Sequence, residues 1–71
     1  MTKLESLVEI EGFDSEEDML EKAVMDSVCP GICKTPGCDY TTEVEPDQSE
    51  GWCDECEAGT VVSCLVLAGI I

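Results

Sequence analysis

A small α+β domain held together through its cysteines is the fold class that this sequence predicts. The chain has 71 residues, and below roughly 70–80 residues a hydrophobic core rarely supplies more than about 3–5 kcal/mol of stability by itself. Six cysteines are present, which indicates a sulfur-based cross-link, either a metal ion or disulfides. Helix-forming patterns occupy the first part of the chain, and turns with β-branched residues occupy the rest.

Residues 1–12 carry a short apolar run at near-helical spacing that ends at Gly12. The run consists of Leu4, Leu7, Val8 and Ile10. One helix of this length is marginal in isolation, so it either docks on the domain or frays. We treat residues 1–12 as an N-terminal arm and residues 13–71 as the single domain.

A more strongly marked helix is predicted from about residue 15 to residue 27. Asp14 is a suitable N-cap, and Glu17 stands three residues later, as a capping box requires. Phe13 precedes the cap and can pack onto the first turns of the helix. An apolar stripe at helical spacing is formed by Met19, Leu20, Ala23 and Val24. The Pro-Gly pair at positions 30–31 is expected to end the helix and to open the cysteine region.

Four cysteines have the spacing of ligands to one zinc ion: Cys33, Cys38, Cys53 and Cys56. Zinc prefers four soft ligands in a tetrahedron, and one turn supplies two of them when two to four residues separate the cysteines. A second such turn, returned by a connection of roughly 12–20 residues, supplies the other two. The pattern C-x4-C-x14-C-x2-C meets both conditions. We therefore predict one structural zinc ion, bound by these four thiolates in the module of residues 30–71.

The chain between the two cysteine turns is predicted to form a β-hairpin. Residues 39–44 are β-branched and aromatic in character, which favours a strand. Residues 45–51 form the polar connection, and Trp52 leads a short second strand into the second turn. The apolar run of residues 61–71 fits either a helix or a strand, and Thr60 as an N-cap favours the helix slightly. The predicted fold is an N-terminal helix packed on a zinc-ribbon-like or treble-clef-like β-hairpin module, with a C-terminal apolar helix or strand.

Cys29 and Cys64 are surplus to the predicted site. Cys29 lies four residues before Cys33 and could replace one ligand, although Pro30 beside it makes Cys33 and Cys38 the simpler pair. Cys64 lies among valines and leucines, where a free cysteine behaves as a small hydrophobic residue. We expect Cys64 to pack in the core.

Other uses of the cysteines are less well supported. Disulfides need an oxidising compartment, and the N-terminal residues, with glutamates in every apolar run, lack the pattern of a secretory signal. Iron in a rubredoxin-like electron carrier would use two short turns flanked by glycine, whereas here the first turn is longer and Glu57 follows Cys56. Redox catalysis by the second cysteine pair is disfavoured because the surrounding acids oppose formation of a thiolate.

The charge balance limits the partners that the chain can bind. Seventeen acidic residues face Lys3, Lys22 and Lys34, with no arginine or histidine, for a net charge of −14. So few cations cannot neutralise nucleic-acid phosphates, and the same charge disfavours an anionic membrane surface. A protein partner with a basic surface is the natural complement. The longest apolar stretch falls short of the roughly 20 residues of a spanning helix, so we expect a cytoplasmic location.

The sequence shows no arrangement that is typical of a catalytic site. Without histidine there is no Cys-His or Ser-His nucleophile pair. A zinc ion with four cysteine ligands has no open position for water or substrate, and the carboxylates are scattered along the chain. We therefore expect that the protein is not an enzyme.

The last forty residues contain three distinctive segments, GCDYTTEVEPDQ, GWCDEC and the ending LVLAGII. In these segments the chain resembles short four-cysteine, zinc-ribbon-like proteins of bacteriophages and prophages, over about residues 32–71. The resemblance implies an accessory zinc-binding protein of the host cytoplasm. It places Cys33, Cys38, Cys53 and Cys56 at the metal positions, and it implies no activity.

Three functional hypotheses follow from these observations. The first is an interaction or adaptor module that zinc stabilises and that docks on another protein. The second is an acidic nucleic-acid mimic that inhibits a DNA- or RNA-binding protein, since carboxylates on a small body can take the place of phosphates. The third is the rubredoxin-like electron carrier.

Overall fold

Two helices precede a four-stranded antiparallel sheet, and a short third helix follows it. The structure is a computed structural model that describes residues 2–71, so Met1 of the predicted arm lies outside the described residues. The elements in chain order are α1 (Lys3–Glu11), α2 (Glu16–Met25), β1 (Cys29–Cys33), β2 (Thr41–Val44), β3 (Gly51–Cys53), β4 (Ala58–Ser63) and α3 (Cys64–Leu67). The predicted α+β class is confirmed.

The sheet has the strand order β2-β1-β4-β3, and every neighbouring pair is antiparallel. Strand β1 therefore lies in the interior of the sheet, between β2 and β4. The prediction of a β-hairpin between the two cysteine turns is wrong, because β2 pairs with β1 and β3 pairs with β4. The expectation that residues 30–31 end the preceding helix is wrong, because that helix ends at Met25 and both residues lie within β1. Gly31 makes this strand possible, since a Cβ atom there would lie 2.7 Å from Val44 Cγ2 and 3.0 Å from Val61 Cγ1. The side chains of the flanking strands occupy the space that a larger residue would need.

The sheet is curled, so that its two outer strands approach each other. Val44 of β2 packs over Gly31 of β1, and its Cγ1 atom also lies 3.1 Å from the position of a Cβ atom at Gly51 of β3. Because Gly31 and Gly51 have no side chains, the Val44 side chain fits between them, and β2 can approach β3 although the two strands are not paired. Because β1 and β3 both run antiparallel to β4, their C-terminal ends lie at the same end of the sheet.

Helix α1 packs into the same core as the rest of the chain. A capping box starts it: Thr2 Oγ1 accepts a hydrogen bond from the Glu5 amide at 3.1 Å, and Glu5 Oε1 accepts one from the Thr2 amide at 3.2 Å. Leu7 and Val8 are buried. The described part of the predicted arm, residues 2–12, thus docks on the domain and does not fray from it.

Helix α2 begins one residue later than the sequence suggested. Ser15 is the N-cap, and its Oγ atom accepts a hydrogen bond from the Asp18 amide at 3.1 Å. The assignment of Asp14 as the cap is therefore wrong. The sequence allowed both choices, because Asp14 and Ser15 are both good caps and acids fill the first turn in either register.

The buried face of α2 is narrower than the predicted apolar stripe. Met19 and Ala23 are buried, whereas Val24 is 62% exposed. The helix ends at Met25, two residues before the predicted end. Lys22 lies over the ring of Phe13, with its Nζ atom 5.5 Å from the ring centroid.

The C-terminal apolar run is divided between a strand and a helix at Ser63. Strand β4 ends at this residue, and its Oγ atom accepts a hydrogen bond from the Val66 amide at 3.2 Å, which caps α3. The same hydroxyl donates to the Pro46 carbonyl at 2.5 Å, and the Ser63 amide donates to the Gln48 carbonyl at 2.9 Å. Thr60, which the sequence suggested as the cap, lies within β4.

The three helices contact one another and β1, and α3 also contacts β4. The buried apolar side chains between helices and sheet are Leu7, Val8, Met19, Ala23, Cys29, Ile32, Cys33, Val44, Cys53, Val61, Cys64 and Leu65. Of the four predicted ligands, Cys33 and Cys53 thus belong to this core, and Cys38 and Cys56 pack against it. Within residues 2–71, no helix has both the length and the apolar composition needed to cross a bilayer.

Candidate metal centre

The four predicted ligands converge at one end of the sheet. Cys33 ends β1 and Cys53 ends β3, while Cys38 lies between β1 and β2 and Cys56 lies in the turn from β3 to β4. Their Sγ atoms all lie within 4.8 Å of one another. Cys29, at the opposite end of β1, does not belong to this group.

The spacing of the sulfur atoms fits a single tetrahedral metal ion. Cys33 and Cys56 have their Sγ atoms 3.7 Å apart, and Cys38 and Cys53 have theirs 3.8 Å apart. A tetrahedron with metal–sulfur bonds of about 2.3 Å has sulfur–sulfur edges of about 3.8 Å. A disulfide would require a separation of about 2.05 Å. The arrangement therefore suits four ligands of one ion and differs from that of two disulfides.

Backbone hydrogen bonds shape the first cysteine turn. The Cys38 amide donates to the Thr35 carbonyl at 3.1 Å, which closes the turn, and the Cys33 amide donates to the Tyr40 carbonyl at 2.9 Å. Gly37 has a φ angle of +83°, a left-handed conformation that glycine adopts without steric cost. These features direct Cys33 and Cys38 towards the same point.

The second turn is shorter and donates an amide to a ligand sulfur. The Cys56 amide lies 3.3 Å from Cys53 Sγ, towards which it donates, and the Glu57 amide donates to the Cys53 carbonyl at 2.8 Å. Glu57 has a φ angle of 52° and is the one non-glycine residue with positive φ in the described chain. An amide directed at sulfur favours the thiolate form that metal ligation requires.

Residues distant in sequence complete the surroundings of the cluster. Thr60 Oγ1 on β4 lies 3.0 Å from Cys33 Sγ, where its hydroxyl can donate to a thiolate. Lys3, on α1, donates to the Cys38 carbonyl, and its Nζ atom lies 3.8 Å from Asp39 Oδ1. Sequence reasoning did not identify either Thr60 or Lys3 as part of the site, because only the fold brings β4 and α1 to the cysteine turns.

Tyr40 links the two cysteine turns at the surface. Its hydroxyl donates to Asp54 Oδ2 at 3.0 Å, so that the chain after Cys38 is tied to the residue after Cys53. This bond raises the pKa of the Tyr40 hydroxyl, because the neutral form donates to a carboxylate. Tyr40 therefore braces the metal site and is engaged within the chain.

In the absence of a cation, the thiols of Cys33 and Cys38 differ widely in pKa and resist ionising together. Burial raises the pKa of the Cys33 thiol, but hydrogen bonds from Thr35 and Thr60 outweigh it and bring that pKa to about 6. The Tyr40 amide lowers the pKa of Cys38, but burial and the neighbouring thiols of the cluster raise it to about 12. One thiolate thus suppresses the next, and a divalent cation at the centre would remove this obstacle. The donor set fits a thiophilic metal ion.

Cys29 and Cys64 form a second, separate pair within the core. Both side chains are buried, Cys64 completely. Burial, together with the neighbouring Cys29, raises the pKa of the Cys64 thiol to about 12. Cys64 therefore packs as a small hydrophobic residue, as its position in the sequence predicts.

Trp52 is largely exposed to solvent. The sequence suggested that it packs on the metal turns or on the helix of residues 15–27, yet its side chain is 58% exposed. Strand β3 explains the difference, because Gly51 and Cys53 are buried on either side of it and alternation turns Trp52 to the solvent.

No family model, curated protein or solved structure matches this chain. The geometry of the four cysteines therefore carries the functional argument, and the resemblance to four-cysteine phage proteins stays a prediction.

Proposed function

We propose that this chain is a zinc-stabilised, acidic interaction module that acts as an adaptor and docks on a protein with a basic surface. The observation that supports the proposal best is the closed cluster of four cysteine Sγ atoms, all within 4.8 Å of one another. Four cysteine ligands saturate a zinc ion and leave no position for a substrate. Such a site contributes to folding and not to catalysis, so we also propose that the protein is not an enzyme.

The position of the cluster supports a structural role for the ion. It joins the ends of β1 and β3 to the turn between β1 and β2 and to the turn between β3 and β4, and β1 is the strand that all three helices contact. In a chain of 71 residues, a metal link of this kind supplies stability that the small core lacks. We further propose that the sheet with its two cysteine turns is of the zinc-ribbon or treble-clef type.

The charge and the exposed apolar side chains favour binding to another protein. Seventeen acids against three lysines give a surface that attracts basic partners and repels nucleic acid. Several large apolar side chains are also exposed on this small surface: Ile10, Val24, Met25, Val28, Trp52, Ile70 and Ile71. Apolar anchors within a charged surface are typical of protein interfaces. An accessory role in a phage-infected host cytoplasm fits this proposal and rests on the resemblance over residues 32–71.

Metal content and partner binding test the proposal together. The chain is purified without added zinc, and elemental analysis with native mass spectrometry counts the bound ions. We expect one zinc per chain, lost in Cys53→Ser and kept in Cys64→Ala. The zinc-loaded chain, immobilised at low salt, should retain basic proteins that the Cys53→Ser chain does not. A metal-free folded chain, or equal capture by both chains, would refute the module.

Iron is the main alternative to zinc, because tetrahedral sulfur sites accept either metal. A rubredoxin-like electron carrier would be red, with absorption in the visible range that disappears on reduction. Glu57 in a left-handed conformation stands where a glycine would suit such a site better. We expect a colourless preparation. A red preparation containing one iron per chain would contradict the adaptor proposal and favour the electron carrier.

The net charge of −14 is the observation that favours the alternative function, an acidic nucleic-acid mimic. A mimic would displace DNA from a basic DNA-binding protein, in competition and with a steep dependence on salt. An adaptor would bind such a protein without displacing the DNA. Gel-shift competition at low and high salt separates the two.

A further inference from the structure

A groove between the helices has an apolar floor and an acidic rim. None of the cysteines lines it. Its volume is about 540 Å³. The apolar lining comes from three parts of the chain: Leu4 on α1, Leu20 and Val24 on α2, and Ala68 and Ile70 after α3. Val24 and Ile70 are 62% and 55% exposed, so the groove is open to water.

The rim of the groove carries only negative charge. Glu16, Glu17 and Glu21 line it, and no lysine does. Positions 17, 20, 21 and 24 follow helical spacing and share one face of α2. This face therefore alternates acids with apolar side chains, while Met19 and Ala23 on another face hold the helix to the core. Since neither the rim nor Val24 is needed to anchor α2, the face is free to bind.

We infer that this groove binds an amphipathic basic helix of a partner protein, with apolar side chains in the groove and lysines or arginines against Glu17 and Glu21. This inference rests on the proposed interaction function and assigns its binding surface. The acidic rim selects a basic occupant by charge complementarity. A second copy of this chain would bring another set of glutamates against the first and would be repelled.

The walls of the groove favour a helix over an extended peptide. They are built from helices and the end of the chain, and no strand is among the lining residues. An extended peptide would find no sheet edge with which to pair its backbone, whereas a helix satisfies its own backbone groups. From Glu16 to Val24 the groove follows α2 for about 12 Å, at roughly 1.5 Å per residue. An occupant of about two helical turns fits this length.

The test uses the full zinc-loaded chain and a synthetic peptide of leucine and lysine, about 14 residues or roughly four turns long. Its leucines have i, i+3, i+4, i+7 spacing. One control peptide has glutamate in place of lysine, and another has the same composition in an order without helical periodicity. Titration calorimetry measures affinity, and amide chemical shifts locate the site. We expect the first peptide alone to bind, with shifts at residues 4, 16–24 and 68–70.

Matched variants separate the groove from the general charge of the molecule. Val24→Glu should weaken binding at least tenfold, whereas Met25→Glu, which adds the same charge at an 88% exposed position outside the groove lining, should not weaken it more than about twofold. Glu17→Gln with Glu21→Gln should weaken binding more than Asp47→Asn with Glu50→Gln, which removes the same charge elsewhere. Zinc content is measured for each variant to confirm that the fold is retained.

Three results would overturn the assignment. These are equal binding of the periodic and aperiodic basic peptides, chemical shift changes centred on Trp52, and a dimer of the chain in sedimentation whose contacts bury Val24. A further outcome is that none of the peptides binds, while the zinc-loaded chain still captures a basic protein and the Val24→Glu variant captures it equally well. That result would refute the groove as the binding site and leave the interaction module intact. Loss of zinc binding in the parent chain would instead refute the module itself.

Discussion

Glu57 holds a backbone conformation that costs free energy. Its φ angle of 52° lies in the left-handed region, where residues with a Cβ atom are destabilised by about 1–2 kcal/mol. Glycine has no such penalty but loses more conformational entropy on folding. We expect Glu57→Gly to raise the free energy of unfolding by about 0.5–1 kcal/mol, measured by urea denaturation at a fixed excess of zinc.

The control for this substitution is Glu57→Gln. It removes the same negative charge beside the metal centre and keeps the strained φ angle. If Gln stabilises the chain as much as Gly does, repulsion by the carboxylate and not the backbone is the cause.

Ionisation of the Cys64 thiol should lower the stability of the fold at alkaline pH. The pKa of its thiol is raised from 9.0 to about 12, by burial and by neighbouring Cys29. Between these values the unfolded chain loses the proton while the folded chain keeps it, so the folded state binds more protons. The stability from this group is thus fully present below pH 9.0 and is lost as the pH rises towards about 12.

Comparison with Cys64→Ala measures this effect. Urea denaturation from pH 8 upwards should show a steeper loss of stability in the parent chain than in the variant, because other titrating groups are common to both. Parallel curves would show that the thiol does not titrate differently in the two states.

At the scale of single residues, the sequence predicted the ligands but not their surroundings. Spacing indicates the two cysteine turns, since each turn is a local feature, but it left Cys29 as a possible ligand, and only the fold places Cys29 outside the cluster. Lys3 and Thr60 reach the site only because α1 and β4 pack beside it. The exposed position of Trp52 depends on which face of β3 is covered, and that also follows from tertiary structure.

Ser63 is the residue on which the junction of β4 and α3 depends. Its buried hydroxyl joins the Pro46 carbonyl to the Val66 amide, and so ties the loop before β3 to the start of α3. Ser63→Ala would leave both backbone groups without this partner. We expect a loss of about 2 kcal/mol in the free energy of unfolding, measured by denaturation of the zinc-loaded chain. Ser49→Ala, at an exposed serine of the same loop, should change stability by less than about 0.5 kcal/mol, and an equal effect of the two would contradict this role.

At the scale of elements, local patterns predicted most of the helices and failed where tertiary contacts decide. Strand β1 was missed because proline and glycine usually end elements, whereas here Gly31 gives Val44 and Val61 room to approach. The apolar run of residues 61–71 fits both a strand and a helix, and a buried serine divides it. No local signal marks Ser63, because its partners lie in a distant loop.

For the molecule as a whole, removal of the metal should unfold the helices as well as the cysteine turns. The cluster holds the end of β1, and all three helices contact β1. We expect a chelator to abolish most of the far-ultraviolet circular dichroism and added zinc to restore it. Chelator saturated with zinc beforehand is the control. Helical signal that persists without metal would show that the helices and β1 form a core that is stable unaided.

Charge repulsion should make the folded protein more stable as salt is added. Seventeen acids oppose three lysines, and four thiolates around a divalent ion add further negative charge. Sodium chloride screens this repulsion, so the melting temperature should rise between low and high salt, by roughly 4–8 °C for each 1 kcal/mol gained. The double substitution Asp47→Lys and Glu50→Lys should reduce this dependence of the melting temperature on salt. A melting temperature of the parent chain that does not change with salt would contradict a net destabilisation by charge repulsion.

The exposure of Trp52 determines how unfolding of this protein can be observed. Its indole is 58% exposed in the folded chain, and it is the single tryptophan present. Since the ring is already in contact with water before unfolding, the wavelength of its fluorescence emission maximum will shift little when the chain unfolds. The emission wavelength of Trp52 will therefore understate the loss of the fold, and unfolding is better followed by circular dichroism.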